Sequence, residues 1–175
     1  TFGYQPAVDG LRALCVLAIM LYHADLPWLP GGFLGVEVFF VISGYLITSL
    51  LRAEYSNQAR IDLVAFWTRR ARRLLPALWS VLLAVSAIAV AFLPDEVWRL
   101  RGEVAAGLTY VSNWYLLFNE QSYFEQVGRP SLLRHLWSLA IEEQFYLVWP
   151  LVFAWAARRF SGRGVGYLSL GLALA

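Results

Sequence analysis

Lysine is absent from this chain: all 14 basic residues are arginine, and 12 acidic residues leave a net charge of only +2. A nucleic-acid footprint needs a strong, clustered positive excess, so nucleic acid is not an expected partner. The one cysteine, Cys15, has no second thiol in the chain to pair with, which excludes an internal disulfide framework. Charge of either sign is scarce, 15% of residues, where an average soluble domain carries about 25%. Disorder is excluded as well, because 16% aromatics with so little charge is the reverse of its signature. What is abundant is apolar: 59% hydrophobic residues and a mean hydropathy of +0.56. The 175 residues suffice for one folded unit, and its solvent reads as lipid.

The expected fold class is therefore all-α, a polytopic transmembrane helix bundle. Roughly 20 apolar residues cross the hydrocarbon core as a helix. Leu74 to Pro94 gives 21 residues without a charge, with Pro76 near its start. The other long runs are interrupted: Leu11 to Ala24 by Arg12 and His23, Leu26 to Leu51 by Glu37, and His135 to Ala157 by Glu142 and Glu143. These runs predict four complete spans, near 9–25, 33–52, 74–94 and 135–157. A last run from Gly164 reads as a truncated span, so residues 1–175 are expected to form the N-terminal part of one larger membrane domain. No secretory signal pattern is evident at the N-terminus.

Arginine placement orients the spans, since cytoplasmic loops are enriched in positive charge. Arg52, Arg60, Arg69, Arg70, Arg72 and Arg73 separate the second and third spans, and Arg158, Arg159 and Arg163 follow the His135 run. With both groups cytoplasmic, the stretch from Asp95 to Arg134 begins and ends outside. Its uncharged run, Val104 to Asn119, then reads as re-entrant or interfacial, with Trp98, Trp114 and Tyr115 suited to the interface.

Ionisable groups inside a membrane are functional candidates by default, because each costs about 2.5–3.5 kcal/mol on insertion scales. Arg12 and His23 are 11 residues apart, about three helical turns, and so share one face, with Asp9 one turn before Arg12. The bland alternative is that Arg12 snorkels to the headgroups and His23 merely ends the helix. His135, Ser138, Glu142 and Tyr146 form one polar stripe at offsets 0, 3, 7 and 11, which Glu143 and Gln144 widen. Polar glue between helices explains Ser138 and Gln144; a histidine and two carboxylates exceed what glue requires. In the topology above, His23 and His135 both open on the outer side. No close ligand spacing supports a metal.

Gly31-Gly32-Phe33-Leu34-Gly35 lacks the strand and lysine of a phosphate loop and reads as a turn permitting close helix approach. Ser43, in Val-Ile-Ser-Gly-Tyr, lacks the first glycine of a nucleophile elbow. The cluster Arg69-Arg70-Ala71-Arg72-Arg73 is a topology signal or, alternatively, an anion site, because guanidinium forks bind phosphate bidentately.

These segments, in this order, resemble the acyltransferase-3 family of membrane O-acyltransferases, in particular its O-antigen and cell-wall acetylase branch. The matching text is Asp9-Gly10-Leu11-Arg12-Ala13-Leu14 with His23, the run from Gly31 to Ile47, the run from Arg69 to Pro76, and the run from His135 to Tyr146. The resemblance covers residues 4 to 150 and implies roughly the first half of a ten-helix membrane domain, with an SGNH-type domain following in many members. It implies a bacterial, multi-pass plasma-membrane enzyme. Its reaction would move an acyl group, usually acetyl, from acyl-CoA to a hydroxyl of lipopolysaccharide or cell-wall carbohydrate. The family's Arg-x10-His motif falls on Arg12 and His23, the histidine being the catalytic group. Its Arg-x-x-Arg motif fits either Arg69 with Arg72 or Arg70 with Arg73.

The chemistry agrees independently. A histidine can take the proton of a sugar hydroxyl, with Arg12 and Glu142 as supporting catalytic groups. The thioester oxyanion needs donors in a dry site, for which Ser43, Tyr45 and Gln144 are candidates. Arg69, Arg70, Arg72 and Arg73 are expected at the donor phosphates, and Asp9, Glu37, His135, Ser138 and Tyr146 complete the candidate pocket. No bound cofactor or metal is expected; acetyl-CoA is the expected co-substrate. The competing readings are a transporter or proton relay using the same histidines and glutamates, and a non-catalytic scaffold.

Overall fold

The computed structural model describes residues 3, 5–24, 26, 28–119 and 131–160. Among these all regular secondary structure is helical, and the chain divides into two compact units, residues 1–61 with 148–175 and residues 62–147. The expected run from Gly164 lies outside the described residues.

In the first unit, α1 (Pro6–His23) opens with proline in its first turn, where a missing N–H costs nothing. A short 3₁₀ turn (Gly32–Leu34) leads into α2 (Gly35–Gln58). The glycines act as the sequence implied. A Cβ on Gly35 would sit 2.7 Å from the Cys15 carbonyl oxygen, and one on Gly32 would sit 2.5 Å from that of Ala18. Neither position tolerates a side chain while α1 and α2 pack this closely. Ile47 and Leu51 of α2 are buried, as are Phe153, Ala156 and Ala157 further along the chain. Two side-chain bonds join these stretches: Trp149 Nε1 donates to Thr48 Oγ1 at 2.9 Å, and the Tyr55 hydroxyl to the Ala157 carbonyl at 2.8 Å.

The second unit begins with α3 (Leu63–Phe92), capped by the Asp62 carboxylate, which accepts from Ala65 N at 2.9 Å. At 30 residues this helix is about 45 Å long, against roughly 30 Å of hydrocarbon. The arginine-bearing stretch therefore continues the helix beyond the apolar run. Pro76, expected near a helix start, lies inside α3 because the cap at Asp62 starts the helix eleven residues before Leu74. After a 3₁₀ turn (Pro94–Glu96) come α4 (Val97–Leu108) and α5 (Ser112–Phe118). The run expected over 104–119 is thus two short helices, neither long enough to cross. They are joined by Tyr110 in the left-handed region, φ 54°, and Gly102 leaves room for the Tyr115 ring. Last comes α6 (Leu136–Arg159), which carries the chain back into the first unit.

The core of the second unit is Leu78, Leu82, Ala89, Leu100 and Leu133, with Val85, Val104, Leu136 and Leu139 against it. Among the described residues, three helices are long and apolar enough to span a membrane: α1, α2 with its leading turn, and α3. The fourth expected span, α6, has the length, 24 residues, but Glu142, Glu143, Arg158 and Arg159 lower its apolar content.

Candidate active site

The residues singled out by sequence fall into two groups, one in each unit. In the first, α1 carries Asp9, Arg12 and His23. The Arg12 guanidinium lies 3.7 Å from the Asp9 carboxylate and 4.9 Å from the centre of the Phe39 ring on α2. The ion pair is long and half-exposed, worth about 0–1 kcal/mol at most. The ring contact does more to fix where Arg12 points, and Phe39 is a partner that the motif pattern did not reveal. His23 ends α1 with Nδ1 2.8 Å from the Ile19 carbonyl oxygen. A carbonyl only accepts, so Nδ1 bears the proton of the neutral ring and Nε2 is its basic nitrogen. The Tyr22 ring meets the imidazole edge-on at 5.4 Å and is itself backed by Phe33 at 5.7 Å. Glu37 is exposed in the first turn of α2, where a helix dipole favours a carboxylate. Ser43 is 4% exposed and Tyr45 is 52% exposed.

The second group is denser. Three consecutive residues of α6 are each fastened differently. The Glu142 carboxylate accepts from the Tyr146 hydroxyl one turn on. Glu143 pairs with Arg70 of α3, Nη2 to Oε1, at 3.1 Å. Gln144 donates to the Tyr110 carbonyl at 2.8 Å and to Asn113 Oδ1 at 2.9 Å, so both its amide hydrogens are engaged. Ser138 donates to the His135 carbonyl at 3.3 Å, and the His135 side chain is exposed. Tyr146, 3% exposed, sits beneath the Arg70 guanidinium, whose carbon is 3.3 Å from the ring centre.

Pro150 explains a further contact. A proline inside a helix has no N–H to offer the carbonyl four residues back, which here is that of Tyr146. Trp67 Nε1 donates to that carbonyl at 3.1 Å. Trp67 and Arg70, one turn apart on α3, thus both meet Tyr146. Sequence reasoning missed Trp67, Tyr110 and Asn113. The readable signal was a proline four residues after a polar-stripe tyrosine, which marks an orphaned acceptor.

The same contacts set the register of α3 against the start of α6. Arg70 faces Glu143, while a Cβ on Gly107 would touch both Leu82 and Leu136. Glu143 therefore lies at the arginine end of the α3 apolar run, while the start of α6 lies further along it, beside Leu82. Arg69, Arg72 and Arg73 are exposed on α3, while Arg70 is partly buried.

The family model described as an acyltransferase domain matches residues 5–175, and so includes every residue above. The chain belongs to the acyltransferase-3 family. It is 50% identical over 147 residues to the peptidoglycan O-acetyltransferase OatA of Listeria monocytogenes, covering 84% of this chain and 24% of that protein. It is 47% identical over 176 residues to the O-acetyltransferase OatA of Staphylococcus aureus, covering 97% of this chain and 29% of that protein. The chain thus spans about a quarter of the length of the curated relatives it matches. No solved structure matches it.

Proposed function

We propose that the chain is the N-terminal part of a membrane enzyme that moves an acetyl group from acetyl-CoA to a hydroxyl of cell-wall carbohydrate. The observation that carries this reading is the His23 ring contact: with Nδ1 bonded to the Ile19 carbonyl at 2.8 Å, the neutral ring keeps Nε2 as its proton acceptor. Nε2 takes the proton of the acceptor hydroxyl as its oxygen bonds to the thioester carbonyl carbon. The tetrahedral intermediate then expels the coenzyme A sulfur, which leaves with that proton as the C–S bond breaks. Ser43 or Tyr45, which lie on opposite faces of α2, is the proposed donor to the oxyanion. Gln144 is assigned to holding the α4–α5 turn, because its hydrogens are engaged there. Glu142 is the supporting carboxylate, and Arg12, directed by Phe39, guides the donor. Exposed guanidinia beside the apolar run of α3 meet the donor phosphates.

The names of both relatives support acetyl as the group moved, and that of the Listeria monocytogenes relative supports peptidoglycan as the acceptor. They support cell-wall carbohydrate over lipopolysaccharide. A multi-pass location in the bacterial plasma membrane, with further helices and an SGNH-type domain in the whole protein, follows from the same reading. The test uses the full-length enzyme in membranes with labelled acetyl-CoA. His23→Ala should lower transfer by about 10²–10⁴-fold at equal abundance and unchanged donor binding. Near-normal transfer in that variant overturns the mechanism.

A further inference from the structure

We infer that Arg70 is not a donor ligand but a positioning residue, which fixes Tyr146 and, through its hydroxyl, the carboxylate of Glu142. The inference rests on the acyl-transfer reading above and divides the arginine cluster that sequence treated as one site. On a helix, Arg69, Arg72 and Arg73 fall within an arc of about 100°, and Arg70 lies beyond its edge. That separation is what the structure uses. Arg72 and Arg73 are exposed, whereas Arg70 is turned to α6 and is 23% exposed, its partner Glu143 only 16%.

Three contacts converge on this point. The guanidinium bonds Glu143 at 3.1 Å, its carbon stands 3.3 Å from the centre of the Tyr146 ring, and the Tyr146 hydroxyl donates to Glu142. A planar cation satisfies an aromatic face and a carboxylate at once, which an ammonium does poorly. Trp67, one turn earlier, holds the Tyr146 backbone carbonyl at 3.1 Å. Ring and backbone of Tyr146 are therefore both set by α3, and the direction of its hydroxyl follows. Releasing Arg70 to a phosphate would strand the half-buried Glu143 carboxylate.

Purified full-length enzyme tests this with kinetics in both substrates and with thermal unfolding in detergent. Arg70→Gln should lower kcat about tenfold and leave the donor KM within about twofold of wild type. Arg72→Gln combined with Arg73→Gln should instead raise the donor KM. Tyr146→Phe removes only the hydroxyl; its effect on kcat and that of Arg70→Gln should fail to multiply in the double variant, whereas a general loss of folded enzyme would multiply. The exchange of Arg70→Glu with Glu143→Arg should recover unfolding temperature lost by Arg70→Glu alone. A donor KM raised by Arg70→Gln to the extent seen for the Arg72 and Arg73 changes overturns the inference. So do multiplying kcat effects or an exchange without recovery. If the wild-type enzyme transfers nothing from acetyl-CoA, the acyl-transfer reading falls, while recovery on exchange still decides the Arg70–Glu143 pair.

Discussion

The bond from Trp67 to the Tyr146 carbonyl exists because Pro150 gives that carbonyl no helical partner, and this causal claim can be measured. Trp67→Phe keeps an aromatic ring and deletes the N–H, leaving a buried acceptor short of a donor 3.1 Å away. An unsatisfied buried acceptor costs about 1–3 kcal/mol. A carbonyl with a second lone pair belongs toward the lower part of that range. Pro150→Ala restores an N–H at the position that closes the helical bond to residue 146. Pro150 is fully buried, so that change also leaves a small void, but the void is common to both arms of the comparison. Trp67→Phe should therefore cost about 1–2 kcal/mol more in the natural background than beside Ala at position 150. Reversible unfolding of the four full-length proteins in mixed micelles gives the coupling directly. Equal cost in both backgrounds would refute the argument and make the indole contact incidental.

Two further outcomes follow from packing and pairing. Gly35→Leu should force α1 from α2, costing about 1–3 kcal/mol in the same unfolding assay and impairing transfer by displacing Arg12 from Phe39; a stability unchanged from wild type would contradict the 2.7 Å approach to Cys15. Asn113→Ala removes an acceptor from the Gln144 amide and should cost about 1 kcal/mol, whereas in a Gln144→Ala background it should cost little; identical costs in both would show that the amides do not act as a pair.

What could be read from sequence was whatever repeats or stands alone. The charge-free run from Leu74 to Pro94 announces a span by length. The glycines at 32 and 35 announce a close approach, and Glu142 with Tyr146 share a face by their spacing of four. The true start of α3 was hidden, because the apolar run from Leu63 to Trp67 is closely followed by four arginines and hydropathy averages the two away. Asp62 is the local signal that marks it. The split of the Val104–Asn119 run depends on Tyr110 adopting a positive φ, which a tyrosine does not advertise; Gln144, thirty-four residues later, holds its carbonyl. The division of labour among the four arginines was equally invisible, since it follows from the register of α3 against α6. No local pattern encodes that register.

The fastening of α6 also bears on how the chain enters a membrane. With two carboxylates and two arginines among its 24 residues, α6 is a poor candidate for partitioning into lipid by itself. Its remedy is already in place when it emerges from the ribosome. α3, apolar enough to enter alone, is synthesised first and presents Arg70 to one of the two carboxylates and Trp67 to the carbonyl that Pro150 leaves bare. The polar stripe is then a coupling between successive insertion events: the earlier helix supplies the solvation that the later one lacks, and the order of the two along the chain becomes part of how the protein is made.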